Sequence, residues 1–233
     1  MIGGFILYFT ASFPTTYLTV GALGALTLLV VLLLPDVEPS RERGKQTFSQ
    51  RAAEFRQGVR EVLSVPPILI ASGIEAVMYF GYAAFLGFLP IYAKQAGLND
   101  AEIALVLGAQ LIAAMIVKPV AGRLSDRSGR KPVIVAGLLF CIAALPLIFR
   151  SEDFALFALF SALLGIGVGA VTPVTNALIA DLASTRRLGA AMGVFGTVFD
   201  FGEAMGPIVA GFLIGGLGYA GTFDVLAAAI LTA

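Results

Sequence analysis

Long apolar segments separated by short polar stretches limit this chain to a small set of folds. Five of them hold 18 to 29 residues each, near 67–92, 101–121, 132–149, 154–180 and 189–217. About 20 helical residues cross a hydrocarbon core of roughly 30 Å. Lipid offers the backbone no hydrogen-bond partner, so such segments satisfy their own peptide groups as helices. The sequence therefore predicts an all-α, polytopic membrane helix bundle.

The composition excludes several other classes of protein. Hydrophobic residues make up 58% of the chain and charged residues 13%, which no ordinary soluble domain matches. Fifteen Lys and Arg balance fifteen Asp and Glu, so no nucleic-acid partner is expected. With no histidine and the single Cys141, neither a disulfide framework nor a His/Cys metal site can form within the chain. We expect no metal and no cofactor.

The distribution of basic residues predicts the orientation in the membrane. Six lie in 36–65, four in 122–131 and two, Arg186 and Arg187, in 181–188, whereas the intervening loops hold only Lys94 and Arg150. Basic residues are retained on the cytoplasmic side because moving them across the bilayer is costly. The loops 36–66, 122–131 and 181–188 are therefore predicted to be cytoplasmic.

Two motifs resemble those of a known family. Residues 118–134, KPVAGRLSDRSGRKPVI, contain the order G-x-x-x-D-x-x-G-R-K at Gly122, Asp126, Gly129, Arg130 and Lys131. That order resembles the cytoplasmic loop signature of the major facilitator superfamily of secondary transporters. Residues 189–211 resemble the glycine-proline helix of the same family, although Ala210 stands where its antiporter form has glycine. The matching positions are Gly193, Gly202, Gly206, Pro207 and Gly211.

The resemblance implies a division of the chain. Residues 67–233 would be the six-helix C-terminal transmembrane domain with a truncated last helix, and 36–66 the cytoplasmic linker. Residues 1–35 would hold the end of one helix, a turn at 12–14 and a full membrane helix over 16–34. The missing N-terminal half is then an expected partner. Helical spacing in the linker predicts an amphipathic helix, the alternative being a solvated charged segment; its apolar positions are Phe48, Ala52, Phe55, Val59 and Val62.

The family also implies a role for the loop 122–131 as a latch between helix ends. Asp126 is the candidate latch acid, with Arg127, Arg130 and Lys131 as ion-pair partners, or it accepts from free N–H groups at a helix start. Glycine at 122 and 129 permits close backbone approach and turning. The alternative is that any tight loop between membrane helices has this composition.

Inserting a charged side chain into the membrane costs roughly 2.5–3.5 kcal/mol on insertion scales, so each one is expected to have a structural or functional role. Ser72, Glu75, Tyr79 and Tyr82 recur at i, i+3, i+7 and i+10, which places them on one helix face. We expect this stripe to face a central cavity. A carboxyl group removed from water favours its neutral form. Glu75 is therefore predicted to couple protons or bind a cation, the alternative being a structural acid hydrogen-bonded to a neighbouring helix.

A second acidic pair lies in the glycine-proline helix. Asp200 and Glu203 are three residues apart, so double ionisation is disfavoured and the pair would keep a proton or recruit a cation. Hydrogen bonding between helices is the alternative. Gly202 and Gly206 point away from Asp200 and are expected to pack on a neighbour.

Uncharged polar residues complete the candidate cavity. Gln110, Thr172, Thr175 and Asn176 are predicted contacts, with interhelical hydrogen bonding as the alternative. Asp224 lies near the outer end of the last helix and is expected to face water. Gly165, Gly167 and Gly169 are expected to form a contact of small residues between helices.

The expected function follows from the resemblance. It implies a secondary active transporter in the plasma (inner) membrane that moves a small organic solute by alternating access. Proton coupling and efflux of drugs or metabolites are favoured. The alternatives are a sugar or organic-acid uptake symporter and a non-transporting sensor or scaffold. No catalytic side chains are predicted, because histidine and a nucleophile elbow are both missing from the sequence, so an enzyme is not expected.

Overall fold

The computed structural model describes residues 13–33, 59–60, 63–184 and 188–232. Across those ranges the chain forms long helices and no strand. They are α1 (Phe13–Leu32), α2 (Pro66–Gln95), α3 (Asp100–Ser128), α4 (Arg130–Ile148), α5 (Phe154–Leu182) and α6 (Leu188–Thr232). Gly218 interrupts α6 with a φ of 68°, so α6 consists of two helices, 188–217 and 219–232. The all-α prediction is confirmed.

The chain divides into two compact units, 1–51 and 52–233. In the first, α1 is an apolar helix of 20 residues. The turn predicted at 12–14 is wrong for Phe13 and Pro14, which begin α1. Proline is tolerated there because the first turn of a helix leaves its N–H groups unpaired. The amphipathic helix predicted over 48–62 lies almost entirely outside the described residues, as do residues 1–12, Arg186 and Arg187.

The second unit is a bundle of membrane-length helices. Among the described residues, five helices, α2 to α6, are long and apolar enough to cross a bilayer. Large apolar side chains lie on the outside of the bundle, for example Phe212, which is 81% exposed, and Met115. Such surfaces are unfavourable in water and neutral against lipid tails. The bundle therefore has the surface of a polytopic membrane protein.

Glycines set the distance between the main helix pairs. A Cβ atom at Gly202 or Gly206 of α6 would collide with the backbone of Ala76 or Phe80 in α2. Gly165 and Gly169 of α5 abut the backbones of Gln110 and Ala114 in α3 in the same way. Helices in membranes associate through such close contacts, because no hydrophobic force drives them together in lipid. The second unit is thus held together by backbone proximity at these crossings.

Two other glycines do not have the predicted environment, whereas Gly211 lies in ordinary van der Waals range of a neighbouring helix. A Cβ at Gly193 or Gly122 would meet open space, and one at Gly211 would meet only the ring edge of Phe88 at 3.5 Å. Pro207 lies beside Gly87, whose Cβ would sit 3.7 Å from it. The packing role predicted for Gly193 and the close approach predicted at Gly122 are therefore wrong. Both glycines lie on helix faces that no other described helix covers.

The predicted loop 122–131 is mostly helical. The helix α3 continues to Ser128, and α4 begins at Arg130, so Gly129 alone breaks the path with a φ of 90°. Ser125 and Ser128 donate back to the main-chain oxygens of Gly122 and Leu124. These bonds satisfy the polar side chains without unwinding the turn. Glycine at 129 allows the chain to reverse sharply between α3 and α4, because a positive φ is strained for other residues.

The contacts at the two ends agree with the predicted alternation of sides. Arg130 reaches Asp181 near the end of α5, so 122–131 and the start of 181–188 share one end of the bundle. The opposite end carries Arg150, which binds Asp224, and Lys94, which pairs with Asp100. The basic segments predicted to be cytoplasmic therefore lie together, as far as they are described.

Candidate functional site

A cluster of polar side chains lies inside the apolar bundle, where α2, α3, α5 and α6 meet. All of these side chains are buried or half-buried, and several of them bond to one another across helices. The cluster, called here the interior polar cluster, consists of Glu75, Tyr79, Tyr82, Gln110, Thr172, Thr175 and Glu203.

Glu75 is the most deeply buried member. Its side chain is 1% exposed, and its Oε2 accepts a hydrogen bond of 2.6 Å from the hydroxyl of Thr175 in α5. Ser72, one turn earlier, is fully buried and donates to the main-chain oxygen of Ile68. Contrary to the sequence prediction, this part of the stripe faces the inside of the bundle and not an open cavity. The reason is that α5 packs over it and offers a hydroxyl partner.

The two tyrosines continue the same face of α2 and are half-buried. The hydroxyl of Tyr79 lies 3.3 Å from Oγ1 of Thr172, and that of Tyr82 donates to Oε1 of Gln110 at 3.3 Å. Their rings meet edge to face with centroids 5.5 Å apart. Distances of this length are at the weak end for hydroxyl hydrogen bonds. Both hydroxyl groups can therefore exchange partners at small cost.

One of the two acids in α6 belongs to the interior polar cluster. Glu203 is half-buried in α6, one turn after Phe199. On the same helix, Phe199 meets the Tyr79 ring edge to face, with centroids 4.3 Å apart. Asp200 is exposed and contacts none of these groups. The structure thus separates the acidic pair that the sequence placed on one face.

Asn176 was predicted to contact the cavity or a neighbouring helix, but its hydrogen bond lies within α5. Its Nδ2 donates to the main-chain oxygen of Thr172, four residues earlier in α5, at 2.7 Å. That bond lies within its own helix, and Asn176 forms no interhelical hydrogen bond in the described ranges. Gln110, by contrast, is buried and bonds across helices as the sequence allowed.

Arg130 joins three helices at the predicted cytoplasmic end. Its guanidinium donates to Asp126 at 2.6 Å, to Ser125 at 2.7 Å and to Asp181 at 3.1 Å. Asp126 therefore binds this arginine and not the free N–H groups of a helix start. Arg127 and Lys131, also predicted as partners of Asp126, are exposed and form no ion pair in the described ranges.

Arg150 forms the corresponding contact at the opposite end. Two of its nitrogens donate to the two carboxylate oxygens of Asp224, at 2.7 and 2.5 Å. These hydrogen bonds to Asp224 raise the pKa of the Arg150 guanidinium. Below the pair, Phe149 stacks on Phe223 with ring centroids 3.5 Å apart. Asp224 is exposed as expected, and the loop before α5 also brings a cation to it, which the sequence did not predict.

Comparison with known families identifies the chain. A family model described as Major Facilitator Superfamily matches residues 71–233, which include the interior polar cluster and the Arg130 contacts. The chain belongs to the Major Facilitator Superfamily. The resemblance seen in the two motifs is thereby confirmed, and the chain is an integral membrane protein of a transporter family.

Two curated relatives in this superfamily are similar to the chain. Quinolone resistance protein NorA of Staphylococcus aureus is 28% identical over 144 residues, covering 59% of this chain and 37% of NorA. The Bacillibactin exporter of Bacillus subtilis is 28% identical over 153 residues, covering 63% of this chain and 38% of the relative. The aligned part of the chain thus spans less than two-fifths of either relative.

Some contact residues in this superfamily member were not singled out by sequence reasoning. Phe199 and Asp181 were not named as contacts, whereas Thr175 was predicted as one, with interhelical hydrogen bonding as the alternative. A signal existed for Thr175, because polar residues at 172, 175 and 176 interrupt an apolar helix at helical spacing. Asp181 is 51 residues from Arg130 in sequence, so only the fold brings them together.

The described residues contain no group of three or more His, Cys, Asp or Glu side chains placed to hold a metal ion. The interior polar cluster offers several kinds of polar group. These are two carboxyls, two phenols, two aliphatic hydroxyls and one amide, surrounded by apolar side chains. Such groups can bind and release protons and can form hydrogen bonds to a solute.

Proposed function

We propose that the chain is part of a secondary transporter that exports a small organic compound in exchange for protons by alternating access. The observation that carries this proposal is the buried Glu75, which lies inside a membrane bundle with a hydroxyl partner and no cation paired to it among the described residues. A carboxyl in such a site is costly to place and needs a function to explain it. Reversible binding of a proton is the simplest one.

The export direction is supported by the relatives. One is named for resistance to quinolones and the other for the export of bacillibactin. The second name states export directly, and resistance to an organic compound is consistent with its export. Because the chain matches only part of each relative, we propose the direction and the class of compound for the complete product of the gene, in the plasma membrane.

The half-buried side chains of the interior polar cluster support an aromatic, polar solute. The rings of Tyr79, Tyr82 and Phe199 meet one another between α2 and α6, and the half-buried Glu203 follows Phe199 by one turn on α6. Aromatic rings bind flat organic compounds through stacking and edge contacts. A nearby carboxyl adds a hydrogen-bond acceptor that fixes orientation.

Transport by inverted membrane vesicles tests this proposal. The complete gene product is produced in a bacterial strain without its own exporters, and uptake of a fluorescent quinolone or of bacillibactin is followed with and without a proton gradient. We expect uptake that requires the gradient and stops when a protonophore dissipates it. Binding of a probe without any flux would instead favour a sensor or scaffold, and flux in the opposite direction would favour an uptake symporter.

A further inference from the structure

Thr175 has three oxygen atoms within hydrogen-bond distance. Its Oγ1 lies 2.6 Å from Oε2 of Glu75, 3.0 Å from the main-chain oxygen of Thr172 and 3.1 Å from that of Val171. The side chain is fully buried in α5. A hydroxyl carries one proton to donate and two lone pairs that accept. Thr175 can therefore donate to only one of these oxygens at a time, and of the three groups only a protonated Glu75 carboxyl could donate to it.

The geometry suits both protonation states of Glu75. When the carboxyl is ionised, the Thr175 hydroxyl donates to Oε2, which gives the carboxylate a partner. When the carboxyl is protonated, its own O–H donates to Oγ1, and the threonine proton turns to the carbonyl of Thr172 or Val171. Threonine in a helix commonly donates to carbonyls three or four residues earlier. No heavy atom has to move, and no buried polar group is left without a partner.

We propose that Thr175 is a positioning residue that partners the Glu75 carboxyl both with and without its proton. This inference rests on the proposed function, because it assigns to Thr175 the task of making proton exchange at Glu75 reversible inside the bundle. The proton comes from water on one side of the membrane and leaves to water on the other. One O–H bond of the carboxyl forms and later breaks, and no further reactant takes part.

The charged and titratable groups around Glu75 agree with this assignment. They are Tyr79 on α2, Cys141 on α4 and, beyond Tyr79, Glu203 on α6. No Lys or Arg of the described ranges forms an ion pair with Glu75. A paired cation would hold the carboxyl ionised. A hydroxyl that both donates and accepts does not fix either state, which is what repeated loading and release of a proton requires.

The test compares Thr175→Val with Thr175→Ser in the complete gene product. Valine keeps the shape of the side chain and removes the hydroxyl, whereas serine keeps the hydroxyl. Thr197→Val is the matched control, because Thr197 is exposed on α6 and donates only to the main-chain oxygen of Gly193. Two quantities are measured: the infrared C=O stretch of the protonated Glu75 carboxyl, identified as the band lost in Glu75→Gln, and quinolone flux driven by a proton gradient.

We expect Thr175→Val to move the carboxyl band to higher frequency, because the carboxyl loses the oxygen that accepts its proton. Gradient-driven flux should fall roughly tenfold to a hundredfold, the effect of one buried group left without a partner. Counterflow, an exchange of labelled for unlabelled quinolone without a gradient, should persist. Thr175→Ser and Thr197→Val should leave the band and the flux near those of the unaltered protein.

The outcomes separate this inference from the proposed function. An unchanged band and unchanged flux in Thr175→Val, with both lost in Glu75→Gln, would overturn the role of Thr175 and leave proton coupling intact. Gradient-driven flux that survives in Glu75→Gln would instead overturn proton coupling at Glu75. If Thr175→Val does not accumulate as folded protein, Thr175→Ala removes the same hydroxyl from a smaller side chain and is judged by the same two measurements.

Discussion

Acidic side chains in the middle of the bundle and at its ends have different partners. Glu75, in the middle, is bound by a hydroxyl. At the ends, Asp126 and Asp181 are bound by Arg130, and Asp224 is bound by Arg150. An arginine remains charged and keeps its carboxylate partner ionised, whereas a hydroxyl can donate or accept. The ends therefore carry ion pairs, and we propose that the middle carries the acid whose protonation changes during transport.

The largest expected effect on stability comes from a substitution that overpacks the contact between α2 and α6. Gly206→Ala places a Cβ against the backbone of Phe80, which cannot move aside as a flexible side chain can. We expect a loss of roughly 1–3 kcal/mol in the free energy of unfolding, the usual range for overpacking, or failure to fold. Thermal unfolding in detergent measures it.

Gly216→Ala on the same helix is the control, because a Cβ there would have no atom within 4 Å. Alanine is favoured over glycine inside a helix by roughly 0.5–1 kcal/mol, so this variant should be neutral or slightly more stable. Equal losses in the two variants would show that α2 and α6 are not held together by backbone contact at Gly206.

A smaller loss in the free energy of unfolding is expected from a substitution at the predicted cytoplasmic end. Arg130→Gln removes two ion pairs, with Asp126 and Asp181, whose carboxylates are more than half exposed. Exposed pairs contribute about 0.2–1 kcal/mol each, so the combined loss should be about 1 kcal/mol. High salt should reduce the difference between variant and unaltered protein, because ions screen exposed charges. A loss that does not depend on salt would mean that Arg130 acts by packing.

Two substitutions at the outer end should lower the free energy of unfolding by different amounts. Arg150→Gln breaks a two-point contact with Asp224 in which both side chains are 46% exposed, and should lower the free energy of unfolding by up to about 1 kcal/mol. Lys94→Gln breaks a single contact with Asp100, whose side chain is 84% exposed, and should lower it by less than about 0.5 kcal/mol. Thermal unfolding of the two variants under one condition tests the order. The reverse order would contradict it.

Much of this architecture was predictable from the sequence, because span length and basic loops depend on local composition. The limits of the loop 122–131 were not, since its polar residues continue α3 by bonding to their own helix, as Ser125 does. The residues Glu75, Tyr79 and Tyr82 were identified from helical spacing. What covers Glu75 could not be predicted, because the identity of the helix packed over a given face is a tertiary property.

The middle of the bundle differs from its ends in function only if Glu75 itself carries the coupled proton. Gradient-driven quinolone flux in vesicles, compared between Glu75→Gln and Glu152→Gln, tests this most directly. Glu152 is an exposed acid in the loop before α5, so its variant makes the same chemical change outside the bundle. The expected result is flux abolished in Glu75→Gln and retained in Glu152→Gln, with both proteins folded. Equal flux in the two variants would contradict a coupling role for Glu75.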